Sequence, residues 1–342
     1  MTVRESLAEL LAESGDQFLS GEEAAEKLGV TRAAVWKAVR ALEDAGARIE
    51  AVPNRGYRLA PDCDLLRASG IVRELDDPRF DVRCFDTLPS TNTYLRELAA
   101  EGAPEGVVAV AAAQTAGKGR MGRSFFSPTG TGLYMSVLLR PSLAAEDAPR
   151  ITTAAAVAVC EALEEVCEVR PGIKWVNDIF LDNRKVCGIL TEAAFDAETG
   201  TLSHAVTGIG INVYEPDGGF PEDLRDIAGA VTRERRRGLR AALCAAVLRH
   251  FWALYSALPG GSCAAEYRKR CLCIGRRVIL LDGADTPALA LDVDDACRLR
   301  VRMDDGTERL LSSGEIRIRL PAAAERPQAM RGGYAPAGNT RL

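Results

Sequence analysis

Histidine is almost missing from this chain: the 342 residues hold two, His204 and His250. That argues against a Ser–His–Asp triad and against a metal site built on imidazoles. Ten cysteines are scattered without one C-x-x-C pair, Cys271 and Cys273 being the nearest two. Such spacing suits neither a zinc ribbon nor a disulfide frame; it reads as reduced thiols serving as small hydrophobes in a cytoplasmic protein. No apolar run approaches the roughly 18 residues of a membrane span. No signal-peptide core follows Met1, since Arg4, Glu5 and Glu9 come first. The net charge is only −5, which argues against bulk coating of nucleic acid and leaves a local basic patch for any such contact. The rest is ordinary: 47% hydrophobic and 27% charged residues, over a length that suggests two or three domains.

One stretch concentrates chemistry. Gly117-Lys118-Gly119-Arg120-Met121-Gly122-Arg123 places three glycines and three cations in seven consecutive residues. Glycine lets backbone N–H groups come close to a ligand, and the cations add positive charge, so the loop suits phosphate or carboxylate. A solvated basic turn is the alternative. Gly117, Gly119 and Gly122 also satisfy G-x-G-x-x-G, a dinucleotide fingerprint that needs a strand before it and a helix after it. Gly106 to Ala113 supplies a strand. Ser124 to Gly132 supplies no helix, because Pro128, Gly130 and Gly132 interrupt it. The dinucleotide reading is therefore disfavoured, and no P-loop motif occurs.

The first sixty residues read as a small separate unit. Helical patterning starts at Glu5 to Leu11. Ser20 with Glu23 suggests a capping box for a helix to Leu28. Thr31 is the expected N-cap of a helix ending near Ala45–Gly46, with Val35, Val39 and Leu42 as its buried stripe. Two short helices around the Gly29 turn suggest a helix-turn-helix. Arg48–Val52 and Gly56–Leu59 alternate like the strands of a wing. From Thr31 to Leu42 there are Arg32, Lys37 and Arg40 and no acid, and the wing adds Arg55 and Arg58. Basic residues thus gather where a groove and its phosphates would lie. Trp36 either packs partly into the core or faces DNA. A helical protein-interaction module is the alternative for the whole unit.

Residues 61–80 read as a polar connector with one short helix. From Cys84 to Arg270 strands and helices alternate. Ile151–Cys167 is an alanine-rich helix and Gly238–Leu258 another. Gly172–Leu190 reads as strands around turns at Asn177-Asp178 and Asp182-Asn183, and Ala205–Val213 as a strand with glycines where a backbone or ligand comes close. The charges at Arg233–Arg237 read as a solvated run. From Cys273 the period is two, with strands at Arg276–Leu281, Ala288–Val293, Arg298–Met303 and Glu315–Leu320 and a hairpin signal at Asp305-Gly306. This suggests a small β-barrel. Pro321–Leu342 has the composition of a disordered tail.

Four segments carry the candidate chemistry: Ser90-Thr91-Asn92 opening a helix, the loop from Gln114 to Arg123, Lys174-Trp175-Val176-Asn177-Asp178, and Lys185-Val-Cys-Gly188-Ile-Leu190. These motifs, S-T-N, Q-x-x-G-x-G-R-x-G-R, K-W-x-N-D and K-x-x-G-I-L, resemble those of the biotin protein ligases over nearly the whole chain. With a winged helix in front and a small barrel behind, they resemble the bifunctional ligase–repressor branch. The resemblance implies an α+β protein: a winged helix-turn-helix at 1–62, a linker at 63–83, a ligase domain of the biotin/lipoate type at 84–272, an SH3-like barrel at 273–320 and a tail at 321–342.

By the same resemblance, biotin and ATP, with Mg²⁺ accompanying the ATP and no protein-only metal cage, give biotinyl-5′-adenylate. Biotin then passes to a lysine of a biotin carboxyl carrier protein. Lys185, Arg120 and Asp178 would carry catalysis. Ser90, Thr91, Asn92, Gln114, Lys118, Gly119, Arg120, Lys185 and Gly188 would surround biotin. Arg123, Phe125, Lys174, Asn177, Asp178 and Asn212 would face the nucleotide. Arg32, Trp36, Lys37, Arg40, Arg55 and Arg58 would meet operator DNA, as a homodimer through the central sheet, with no membrane contact. Several residues keep a second reading: Ser90 as an N-cap, Asp178 as a turn cap, Trp175 as core. The chain departs from the family at Phe125, where a Trp is usual, at Val176, usually Pro, and at Lys118 and Met121, often Arg. A lipoate-type ligase and a biotin-sensing repressor without catalysis are the rival readings.

Overall fold

A computed structural model describes residues 2–196, 198–281, 285–312, 314 and 316–318. The segment read as a tail lies outside these. In the N-terminal unit, helices α1 (Val3–Glu13), α2 (Gly21–Leu28) and α3 (Arg32–Asp44) precede strands β1 (Ile49–Val52) and β2 (Gly56–Leu59). Short polar caps set the helix starts. Thr31 Oγ1 accepts from Ala34 N at 3.2 Å and Ser20 Oγ from Glu23 N at 3.0 Å. The reciprocal half of the expected capping box is not formed, because the Glu23 carboxylate turns forward to Lys27 Nζ at 2.9 Å. A full box forms instead at Thr2 and Glu5. Val35, Ala38, Val39 and Leu42 of α3 bury against Leu7 and Leu11 of α1. The wing is tied to the rest by paired 2.8 Å hydrogen bonds between Leu19 and Tyr57. Gly56 is required there: its φ is 102° and a Cβ would come 2.0 Å from Leu19 O.

The central unit follows: α4 (Ala68–Leu75), β3 (Asp81–Leu88), α5 (Thr91–Ala100), β4 (Val107–Gln114), β5 (Gly132–Leu139), α6 (Ala148–Cys167), β6 (Gly172–Lys174), β7 (Asp178–Leu181), β8 (Arg184–Phe195), β9 (Leu202–Asn212), α7 (Leu239–Ala257) and α8 (Ala264–Arg270). Seven strands form one sheet in the order β3-β4-β5-β9-β8-β7-β6, with only β3 and β4 parallel. Buried alanines along α6 let it lie close to the sheet and to α7, while α5 packs Leu95 and Ala99 against Val107, Ala109, Leu138 and Val206 in a separate cluster. The connector helix α4 buries Ile71 and Leu75 in the core shared with α7. Gly172–Leu190 holds three strands. β6 stops at Lys174 because Trp175 turns inward, 3% exposed, its Nε1 donating to Cys297 O at 3.0 Å.

A third unit comprises β10 (Arg277–Leu280), β11 (Thr286–Val293), β12 (Leu299–Met303), β13 (Glu308–Leu311) and β14 (Ile316–Ile318). They pair antiparallel in the order β13-β12-β11-β10-β14, one strand more than period two had indicated. β13 was missed because its residues, Glu308-Arg309-Leu310-Leu311, do not alternate.

The run Arg233–Arg237 is exposed, as read, except at half-buried Arg235, but three of its arginines are also tied to the fold. Arg235 donates to Gly130 O at 2.9 Å and lies over the Tyr214 ring, Arg236 donates to Val166 O at 3.1 Å, and Arg237 reaches Asp16 Oδ1 at 2.9 Å and Leu59 O at 3.0 Å. Beside them Arg240 pairs with Asp64 at 3.0 Å, with side chains 5% and 1% exposed. Arg240 also donates to Gly132 O at 3.1 Å, and Tyr214 donates to Asp64 Oδ2 at 2.8 Å. Burial, with the Asp64 carboxylate alongside, pushes the Tyr214 hydroxyl pKa up. Removing one partner strands a buried charge. Asp64→Ala should therefore lower unfolding stability by about 3–5 kcal/mol. Arg4→Ala, which breaks the exposed Arg4–Asp86 contact between α1 and β3, should cost under about 1 kcal/mol. Denaturant titration of both variants checks the contrast.

Candidate active site

The four candidate segments meet over β8 and β9. Ser90 caps α5, its Oγ accepting from Thr93 N at 3.4 Å, so its second reading as an N-cap is met while the residue also lines the cavity. Thr91 N donates to Gln114 Oε1 at 2.9 Å and Gln114 Nε2 donates to Ser127 Oγ at 3.0 Å. The helix start and the loop base are thereby joined. The glycine loop folds as a small hairpin closed by Phe125 N to Gly117 O at 2.8 Å and Gly119 N to Arg123 O at 2.7 Å. Gly117 has to be glycine, because a Cβ would sit 2.5 Å from Phe125 O.

From the other side come β7 and β8. Lys185 Nζ lies 2.6 Å from Asp178 Oδ1, and Arg120 donates to Asn177 Oδ1 at 2.9 Å. Asn177 Nδ2 in turn donates to Ile189 O at 3.0 Å. Three strand positions, Gly188, Gly208 and Gly210, leave the floor bare. An added Cβ would lie 2.2 Å from Asn92 Oδ1 at Gly208, 2.6 Å from the Phe125 ring at Gly210 and 3.2 Å from both Phe125 and Lys185 at Gly188. Phe125 thus packs against the floor, edge-on to Tyr134.

Two cavities result. The first, about 480 Å³, is lined by Ser90, Thr91, Asn92, Gln114, Lys118, Gly119, Arg120, Lys185 and Gly188 together, with Phe125 and Asn177. The second, about 1090 Å³, opens beyond Phe125. It is lined by Arg123, Lys174, Asn177, Asp178 and Lys185, and by Leu281, Ile316 and Arg317 of the third unit. Asn212 lies outside both, since its Nδ2 donates to Gly229 O at 3.2 Å. Sequence reasoning missed Ser127, Ser136, Glu192 and the third-unit wall. A lone serine in an apolar strand and a glutamate past the K-x-x-G-I-L motif carry no local signal.

The basic residues of the N-terminal unit divide. Arg32, Lys37, Arg40 and Arg55 are exposed, and Trp36 is 52% exposed, which settles its position outside the core. Arg58 is half-buried, paired with Glu50 at 2.7 Å and stacked on Phe18 with Arg55.

A small polar cavity beside a larger one, with a lysine and an arginine at their junction, is an arrangement suited to holding an acid against a polyanion, as an acyl-activating ligase must. The chain belongs to the biotin protein ligase family, in its bifunctional ligase/repressor branch. Residues 84–212 match the biotin/lipoate A/B protein ligase family, 3–58 an HTH domain and 273–319 the biotin protein ligase C-terminal domain. The chain is similar to the bifunctional ligase/repressor BirA of Bacillus subtilis, at 40% identity over 68% of this chain and 71% of the relative. It is 36% identical to the Escherichia coli protein of that name, over 62% of this chain and 64% of that one. The structure of the biotin protein ligase from Aquifex aeolicus in complex with biotin and ATP superposes with a TM-score of 0.58 at 26% identity, covering 70% of this chain and 98% of that one.

The bare floor is testable. Gly208→Ala drives a Cβ into Asn92, itself held from three sides, and should cost about 1–3 kcal/mol of stability while weakening biotin binding. Gly70→Ala in α4, where a Cβ would make ordinary 3.8 Å contact with Ala241, should be neutral or stabilising by up to about 1 kcal/mol. Paired thermal melts and biotin calorimetry distinguish them.

Proposed function

We propose that this chain joins biotin to ATP as biotinyl-5′-adenylate, transfers the biotinyl group to a lysine of a biotin carboxyl carrier protein, and binds operator DNA as a homodimer when it holds the adenylate. The observation that carries the ligase reading is the convergence of S-T-N, the glycine loop and the Lys185–Asp178 pair on one cavity.

The chemistry needs two anions brought together. A biotin carboxylate oxygen attacks the α-phosphorus, the bond to the bridging oxygen breaks, and pyrophosphate leaves. Lys185 and Arg120 stand at the junction of the two cavities, where they offset the charge that builds on that phosphorus. Before substrate enters, their charges are held by Asp178 and Asn177, which keeps both heads aimed into the site. Folding of the 117–125 hairpin over the product keeps water from the mixed anhydride. In the second step the carrier lysine's amine attacks the acyl carbon and AMP leaves, with Asp178 taking the amine's proton.

Mg²⁺ fits as an ion borne by the triphosphate. Among the described residues no three His, Cys, Asp or Glu side chains form a cage, and Asp178 with Asn177 offers the oxygen donors a partly hydrated Mg²⁺ accepts. There it would neutralise phosphate charge.

Biotin-dependent ATP–pyrophosphate exchange is the direct test, and lipoate-dependent exchange in its place would transfer the reading to a lipoate-type ligase. Lys185→Met keeps length and removes charge. It should reduce adenylation by about 10²–10³, and an unchanged rate would remove Lys185 from the mechanism.

The winged helix supports the repressor reading through the exposed Arg32, Lys37 and Arg55. Arg32→Ala and Lys37→Ala should each weaken operator binding and reduce the salt slope by about one, leaving ligation intact. Arg58, already neutralised by Glu50, should change the salt slope less. Titration of operator DNA at several salt concentrations, with adenylate present, reads both; no footprint upstream of biotin genes would count against repression.

A further inference from the structure

Asn92 lines the cavity with both hydrogens of its amide, and one lone pair of its oxygen, taken by protein. Nδ2 donates to Leu190 O at 3.2 Å and to Glu192 Oε2 at 2.9 Å, and Oδ1 lies 2.6 Å from Ser136 Oγ. Glu192 is held in turn: its Oε1 accepts from Arg96 at 2.9 Å, one turn along α5 from Asn92. A carboxylate and a backbone carbonyl only accept. Together they force the nitrogen of Asn92 toward β8 and its oxygen toward Ser136.

That orientation sets the direction of a hydroxyl chain. Ser136 Oγ lies within hydrogen-bond distance of both Asn92 Oδ1, at 2.6 Å, and Thr91 Oγ1, at 2.7 Å. A hydroxyl has one hydrogen. Asn92 Oδ1 cannot donate, so it takes the Ser136 hydrogen. Ser136 then has none for Thr91. The Thr91 hydrogen is itself used by the protein, on Ser136 Oγ at 2.7 Å or on Gln114 Oε1 at 3.2 Å. Thr91, which lines the cavity, therefore meets a ligand as an acceptor. With the Asn92 amide reversed, Ser136 would donate to Thr91, occupying one of its two lone pairs and leaving its hydrogen to be turned toward Gln114 or a ligand.

We propose that Glu192, held by Arg96, is a positioning residue for substrate specificity: by fixing the Asn92 amide it makes Thr91 an acceptor, matched to an N–H of a cyclic urea. This rests on the biotin reading above and adds to it what selects the ureido ring. Glu192 touches no substrate; it acts through Asn92, Ser136 and Thr91.

Calorimetry of biotin binding to the full chain, without ATP, tests it. In Glu192→Gln the new amide can accept or donate, so among the described residues the 3.2 Å bond to Leu190 is left to fix the direction of the Asn92 amide. Its biotin Kd should rise about tenfold or more, the scale of one hydrogen bond to a charged partner. ATP KM and saturating kcat should stay within about twofold. The preference for biotin over biotin methylated on a ureido nitrogen, each nitrogen tested in turn, should shrink with it. Asn92→Asp should bind biotin poorly, because it sets two carboxylates face to face. Adding Glu192→Gln should restore much of the affinity, because an aspartate can only accept from Ser136 and the amide introduced by Glu192→Gln can donate to it. A Kd and methyl discrimination unchanged in Glu192→Gln, or a double variant no better than Asn92→Asp alone, overturns the proposal. Wild-type chain that binds no biotin overturns the biotin reading itself, and this proposal with it.

Discussion

The site depends on bare backbone where β8 and β9 run beneath it. Gly188 and Gly210 stand directly opposite each other in that ladder, and Gly208 pairs with Leu190. Each omitted Cβ makes room for one side chain from elsewhere: Asn92 from α5, Phe125 from the glycine loop, and the stem of Lys185. Side chains that arrive from three parts of the chain can pack within van der Waals contact of a sheet only if the sheet gives up its own. The reach of the α5 N-terminus, the depth of Phe125 and the division into two cavities all follow from that.

Phe125 shows the consequence for the shape of the cavities. It touches Gly210 and Gly188, meets Tyr134 edge-on at 6.4 Å and lines both cavities. It therefore stands between the smaller and the larger cavity.

The three units are fastened near the site through a few polar residues. Asp64 and Arg240 are buried together, and Arg240 and Arg235 also hold the carbonyls of Gly132 and Gly130 at the entry to β5. On the far side Trp175 donates to Cys297 of the third unit, just before Asn177 and Asp178. Segments that frame the cavities are thus the same segments that meet the neighbouring units. The larger cavity is walled partly by Leu281, Ile316 and Arg317, so the third unit takes part in framing it.

Much was legible along the chain because its causes are local. Thr31 and Ser20 cap helices wherever they fold, Gly29 permits the turn at φ 62°, and the valines and Leu42 of α3 repeat at helical spacing. The motif residues were legible as a set, since cations beside glycines have few other uses. The rest was settled by long-range partners that no local pattern encodes. Glu23 had two possible partners and took Lys27; the exposed run Arg233–Arg237 found Gly130, Val166 and Asp16 for three of its arginines; Asn212 turned to Gly229. Trp175 and Trp36 read alike as aromatic residues near a core, and only the packing of the third unit buries one while the other stays in solvent. Composition and short-range stereochemistry determined which elements form and which residues are chemically able. Tertiary structure alone decided where each hydrogen and each charge is directed, because a side chain's partner depends on what the fold brings within about 3 Å of it.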